Sequence, residues 1–338
     1  MMALRLPVLA LSVLATSAAC FAATIPPAQR LPARVVATLA SPVEAAMNMP
    51  TGVAVGGDGR VFVADGVNHR IVVFDAEGRV TGDIRSVGET MLARPIGLHV
   101  DGRNWLWIAD ASLNRVVAVA TAGATWPGRA DLLIELRPPL VRRPEGLEPS
   151  EPTDVTVSRD GSQVYIVDNE HHRLVLQDLK TQGMQVIGGP GQGLGQFQWP
   201  FTISLGPDGY LYVCEAIGAR VQRLNPAGRP AGRIGAWGVE MGQLYRPKGV
   251  VVGGDGSVYV SDSTLGAVQV FRTDGTLRGV LTDVQGTPLR FQHPMGMDLD
   301  ARGRLYVVEL TANRVAVVEV GGAAASTQPA MPAGRGRP

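Results

Sequence analysis

Cysteine is almost missing from this chain: 338 residues hold 2, Cys20 and Cys214. A disulfide framework is therefore excluded, and the lack of any Cys-x-x-Cys-His excludes covalent c-type haem. Charge is scarce as well, at 18% of residues and a net +1. Such a balance does not point to a nucleic-acid surface, so no nucleic-acid partner is expected. Among 31 basic residues only Lys180 and Lys248 are lysines. Long apolar runs are confined to Leu6–Ala15, which is too short to span a bilayer.

That run follows Arg5 and precedes the small residues Ser17, Ala18 and Ala19, the layout of an export signal over residues 1–22. Two cleavage points remain open. A cut before Cys20 gives a lipid-anchored protein, and a cut after Ala22 gives a free one. The expected location is periplasmic or extracellular, with membrane contact only through Cys20. Cys214 then has no partner in the chain and reads as a small buried hydrophobe.

What is abundant is punctuation: 42 Gly and 24 Pro. They mark six copies of one pattern, anchored by Pro50, Pro95, Pro152, Pro200, Pro247 and Pro294. Each copy runs through an apolar stretch and a turn to an acid: Asp65, Asp110, Asp168, Glu215, Asp262 and Glu309. An Arg follows five residues later in most copies, as Arg70, Arg115, Arg173, Arg220 and Arg314; Ala267 stands at that place in the fifth. The acids are 45, 58, 47, 47 and 47 residues apart. A period in the forties, with several short strands per unit, predicts an all-β fold. The expected architecture is a six-bladed β-propeller with four antiparallel strands per blade.

Three and five residues after each proline the chain is apolar, as at Val53/Val55 and Ile203/Leu205, whereas the alternate positions are mostly small or polar. That alternation predicts an innermost strand with two unlike faces. The last repeat lacks an outer strand, while Ala33–Leu39 forms a strand with no repeat of its own. This amino-terminal strand is expected to supply the outer strand of the last blade and close the ring, removing an open edge. The organisation expected is a signal at 1–22, a linker at 23–33, the ring at 34–320 and a disordered Ala/Gly/Pro-rich tail at 321–338. A monomer is expected.

The lead-in segments 191–200 and 242–250, and the ending Val63-Ala64-Asp65 followed by Asn68 and Arg70, closely resemble NHL-repeat propellers. The resemblance covers about 35–320; Asp154 and Thr202 replace its usual Gly, and Ala267 its usual Arg. It implies fold more firmly than function, since NHL rings include RNA-binding, peptide-binding and sensor modules and a peptidyl-α-hydroxyglycine lyase. Related six-bladed rings include lactonases, and exported NHL proteins also resemble companions of multihaem cytochromes. The lyase's zinc histidines directly follow the blade-opening prolines. Those positions here are Thr51, Ile96, Thr153, Phe201, Lys248 and Met295, so that metal site does not carry over.

The repeated acid and Arg read as architecture, the Arg bridging to the neighbouring blade. The five histidines, His69, His99, His171, His172 and His293, read by default as solvated loop residues. The expected function is non-catalytic protein or peptide binding through the loop face, with Phe201, Lys248, Met295, Trp199, Arg246, His171 and His172 as contacts. The alternative is an extracytoplasmic metal-dependent enzyme of lyase or lactonase/gluconolactonase type. Its tentative metal set is Asp154, Asp298 and His99, for calcium in the central tunnel; the first reading needs no cofactor. An insertion at 137–145 accounts for the 58-residue interval, as a lid, a contact arm or an idle loop.

Overall fold

The computed structural model describes residues 25–121, 127–144 and 146–321. The segment expected to be an export signal, Cys20, Glu145 and all of the tail beyond Gly321 lie outside these. The described chain is strands joined by tight turns, with four 3-10 turns of three residues each. None of its helices is long and apolar enough to cross a membrane.

Each repeat folds into its own antiparallel meander. The fourth orders Pro200–Leu205, Leu211–Glu215, Arg220–Leu224 and Pro230–Ile234 in sequence, and the third does the same from Pro152–Val157 to Met184–Gly188. The opening proline loses nothing here, because it begins the strand on an unpaired edge. Asp-Gly turns close the first hairpins, with Gly59 and Gly256 at φ 84 and 77°.

Strand alternation sends successive residues to opposite neighbours. Phe62 and Ala64 pack towards repeat two, whereas Val61 and Val63 pack towards repeat six. Apolar clusters join repeats one to two, two to three, three to four, four to five and five to six. Another joins repeat six back to repeat one.

The opening strand is longer than the sequence pattern indicates, Arg30–Leu39, so it takes up residues expected to be linker. It runs antiparallel to Arg314–Val320, pairing Ala33 with Val320 and Leu39 with Val315. Leu39 is buried between repeats six and one. The turns before the outer strands make comparable contacts with neighbouring strands. Gly228 abuts Ile187 and Gly275 abuts Arg233, each at the end of the preceding repeat's outer strand. Gly78 of repeat one abuts Leu39 in the same way.

The long interval after repeat two has two sources, of which the sequence reading found one. Pro127–Ala130 runs parallel to Val80–Val87, the outer strand of repeat one, before Ile134–Leu136 completes repeat two. The segment from Val141 to Glu148 then forms a separate hairpin.

Candidate functional site

The six acids end the second strand of their repeats and are at most 1% exposed. Every one accepts a backbone N–H from the residue 17 positions upstream, in the loop leading into its own repeat. The donors are Asn48, Ala93, Glu151, Gln198, Tyr245 and Gln292. The Arg residues complete this frame, with Arg70 Nε 2.7 Å from Asp65 and Arg220 Nε 2.6 Å from Glu215. They do not bridge to the neighbouring repeat. Arg220 donates to the carbonyls of Gln192, Gly193 and Gln196, and Arg173 to that of Pro139, all in the lead-in loops of their own repeats. Where Ala267 replaces Arg, Asp262 instead accepts the N–H groups of Thr264 and Leu265. The acids thus tie the lead-in loops to the loops after the second strand, and both sets lie on one face.

Neighbouring innermost strands meet at the channel. A Cβ on Gly249 would lie 2.3 Å from the Met295 carbonyl oxygen, and one on Gly97 2.5 Å from that of Thr153. Only Gly permits that approach. The two departures from Gly make bonds instead. Asp154 Oδ2 accepts the Ile203 N–H at 2.8 Å, and Thr202 Oγ1 donates to the Lys248 carbonyl at 3.0 Å. Farther along, Asp298 Oδ2 accepts the Val55 N–H at 2.8 Å. Each of these side chains satisfies an edge that a strand alone leaves open.

Of the three candidate metal residues, Asp154 and Asp298 are therefore occupied with backbone. Burial pushes the Asp154 carboxyl up to about 8, the Asp298 charge adding to it, and pushes Asp298 up to about 6. Burial takes His99 down to about 4. Among the described residues no group of three His, Cys, Asp or Glu side chains is placed to hold a metal ion. Asp154, Asp298 and His99 do not form a coordination set.

Between the innermost strands lies a cavity of about 30 Å³ whose lining includes Thr51, Ile96, Thr153, Asp154, Phe201 and Thr202. Thr51 and Thr153 spend their hydroxyls on the Ile96 and Phe201 carbonyls. Lys248 lies beside the mouth, its Nζ 4.0 Å from the centre of the Phe201 ring. Burial lowers its pKa from the ordinary lysine value; Arg246 also lowers it, against an opposing effect of Cys214. Arg246 is exposed. Trp199 is 42% exposed, and its backbone N–H donates to His172 Nδ1 at 2.8 Å, the two rings meeting edge to face.

Two expected contacts are not on the surface. Met295 is 6% exposed and packs in the core between repeats six and one. His171 is not a solvated loop residue: it is buried, with Nδ1 2.9 Å from Asp168 and Nε2 3.2 Å from Glu148. Its partner Glu148 belongs to the inserted hairpin, so His171 pins that hairpin to repeat three.

Residues 47–74, which contain the first acid, its Arg and the loop between them, match the sequence model of the NHL repeat. The chain carries an NHL repeat. A sequence comparison with curated proteins gives no significant match. Solved structures similar to this NHL-repeat chain are similar in fold alone. Virginiamycin B lyase from Staphylococcus aureus is 16% identical over 86% of this chain and 88% of its own, with TM-score 0.58. A gluconolactonase from Xanthomonas campestris is 18% identical over 88% and 99%, with TM-score 0.57. A chain of the nidogen/laminin complex is 17% identical over 74% and 84%, with TM-score 0.53. Propeller-like neighbours of this kind agree with the all-β architecture.

The sequence reading of the NHL loop face missed Trp237, which is 71% exposed with its ring 6.0 Å from Tyr245. Alignment at the 47-residue period would have found it. Trp237 occupies the place of Pro190, and the two loops make matching bridges, Pro190 to Phe197 and Trp237 to Leu244.

Proposed function

We propose that the chain is an exported, six-bladed NHL propeller, closed by the strand Arg30–Leu39, that binds a protein or peptide partner through its loop face without catalysis. The cyclic order of the apolar clusters and the matched positions of Leu39 and Ile187 support the ring. One observation carries the binding reading: large apolar side chains stand exposed on the loops of that face. Leu194, Trp199, Ile217 and Trp237 are 55, 42, 47 and 71% exposed, beside the cations Arg246 and Lys248. Aromatic and Arg residues on a rigid rim are the composition of interface hot spots. The nidogen/laminin complex supplies a precedent of similar fold within a protein assembly.

The test is capture of partners from an extracytoplasmic fraction by the intact ring. Trp199→Ala with Trp237→Ala should abolish capture, whereas Glu77→Ala, in a turn away from these loops, should not. Capture indifferent to both tryptophans sinks the choice of face. A lyase or lactonase reading would instead require a stoichiometric calcium or zinc whose removal abolishes activity. Mass measurement of the mature amino terminus tells a lipidated Cys20 from a start at Ala23.

A further inference from the structure

We propose that the channel mouth is a carboxylate-recognition site, in which the Lys248 ammonium, held over the Phe201 ring and flanked by Arg246, takes the carboxylate of a peptide segment. This rests on the loop-face reading above and narrows its ligand.

The two lysines of the chain differ. Lys180 is exposed and paired with Asp160 at 3.1 Å. Lys248 is half-buried, and no Asp or Glu is among the groups that act on its charge. Those groups are Cys214 and Arg246. Burial raises the Cys214 thiol well above its ordinary value, so it carries no compensating charge at neutral pH. The ammonium has been drawn partly out of water with only a π-face for company. A ring recovers part of the lost hydration, but an anion recovers far more. Arg246 adds a second positive charge that makes no ion pair among the described residues.

The surroundings select the kind of anion. The hydroxyls of Thr51, Thr153 and Thr202 are already committed to carbonyls, which leaves the ammonium and the guanidinium as the cationic donors. Ile96, Leu98 and Phe201 form the apolar part of the wall, Asp154 is turned onto the Ile203 N–H, and Trp199 lies two residues from Phe201. A carboxylate beside an apolar side chain matches that wall, either at the end of a peptide or on an acidic residue within it.

With two lysines in the chain, reductive methylation with ¹³C-formaldehyde places two lysine signals in an NMR spectrum, apart from the amino terminus. Lys180 is the internal control. The probes are acetyl-Gly-Leu as free acid, the same peptide as C-terminal amide, acetyl-Asp-Leu-amide, and inorganic phosphate. We expect a carboxylate peptide to move the Lys248 signal while Lys180 stays still and the uncharged amide has no effect. Response to the free acid alone assigns a C-terminal carboxylate; response to the Asp peptide assigns an acidic side chain. Lys248→Gln should weaken binding by about ten- to a hundredfold, and Lys248→Arg should retain most of it. The proposal is overturned if no carboxylate peptide moves the signal, or if phosphate moves it at lower concentration. It is equally overturned if truncation after Gly321 moves it as ligand removal would, since the chain's own end would then be the occupant. If capture depends on Trp199 and Trp237 yet ignores Lys248→Gln, the carboxylate assignment fails and the loop-face reading stands.

Discussion

The residue before each repeat's Arg, or before Ala267 in the fifth, sits in the left-handed region: His69, Asn114, His172, Ala219, Gly266 and Asn313, at φ between 49 and 62°. That single step folds the loop so that the Arg returns onto its acid. Asn, His and Gly tolerate it, and Ala does not. His69 and His172 are thereby explained by backbone geometry. Ala219→Gly should stabilise the protein by about 0.5–1 kcal/mol, read as a higher denaturant midpoint at unchanged slope. A lower midpoint would show that the buried methyl outweighs the strain. The acid itself is a costlier position. Arg115 is 1% exposed and shared between Asp110 and Glu135. Asp110→Ala leaves that guanidinium buried with half its partners and should cost about 3–5 kcal/mol. A loss below about 1 kcal/mol, the scale of an exposed pair, would mean that water reaches the site.

At the scale of the element, the innermost strands carry both the legible and the illegible parts of the sequence. Their position and inward face follow from proline and period-two alternation, and Pro95–Val100, Pro152–Val157, Pro200–Leu205, Pro247–Val252 and Pro294–Leu299 all begin on the expected residue. What the polar positions of these strands do could not be read, because their partners lie on the next repeat. Asp154 looks like a ligand in sequence, yet meets Ile203, 49 residues away. His171 looks solvated until the inserted hairpin brings Glu148 to it. The edge-capping carboxylates give the strands a pH signature. Asp154 is raised to about 8, so from about pH 4 upward the folded chain keeps a proton that the unfolded chain has released. Its contribution makes stability fall as pH rises, levelling off above 8. Asp298, at about 6, acts in the same direction, and His99, lowered to about 4, in the opposite one, both below the ordinary His value of about 6.5. The window from about 6.5 to 8 therefore belongs to Asp154 among these three, with a fall of about 2 kcal/mol. Asp154→Asn keeps an acceptor for the Ile203 N–H and should flatten that fall in melts taken across the window. An unchanged slope would assign it to another group.

For the whole molecule, the decisive contact is between the chain's first strand and its last. Without Arg30–Leu39, the strand Arg314–Val320 would present an unpaired edge, and such edges recruit other chains. Leu39 is 4% exposed and lies in the cluster that joins repeat six to repeat one. If that cluster closes a ring, the strand is as integral as any inner one, and Leu39→Ala should destabilise the protein by about 2–5 kcal/mol. Val36 on the same strand is 40% exposed and supplies the control, with Val36→Ala expected within about 0.5 kcal/mol of the parent. Deleting residues 25–39 should go further and produce concentration-dependent association in sedimentation, because the freed edge seeks a partner. A strand lying loose in solution predicts the reverse: Leu39→Ala and Val36→Ala equally silent, and the deletion monomeric. Measuring both substitutions and the deletion separates a sealed ring from an open one, and with it the rigidity on which the loop face and the channel mouth depend.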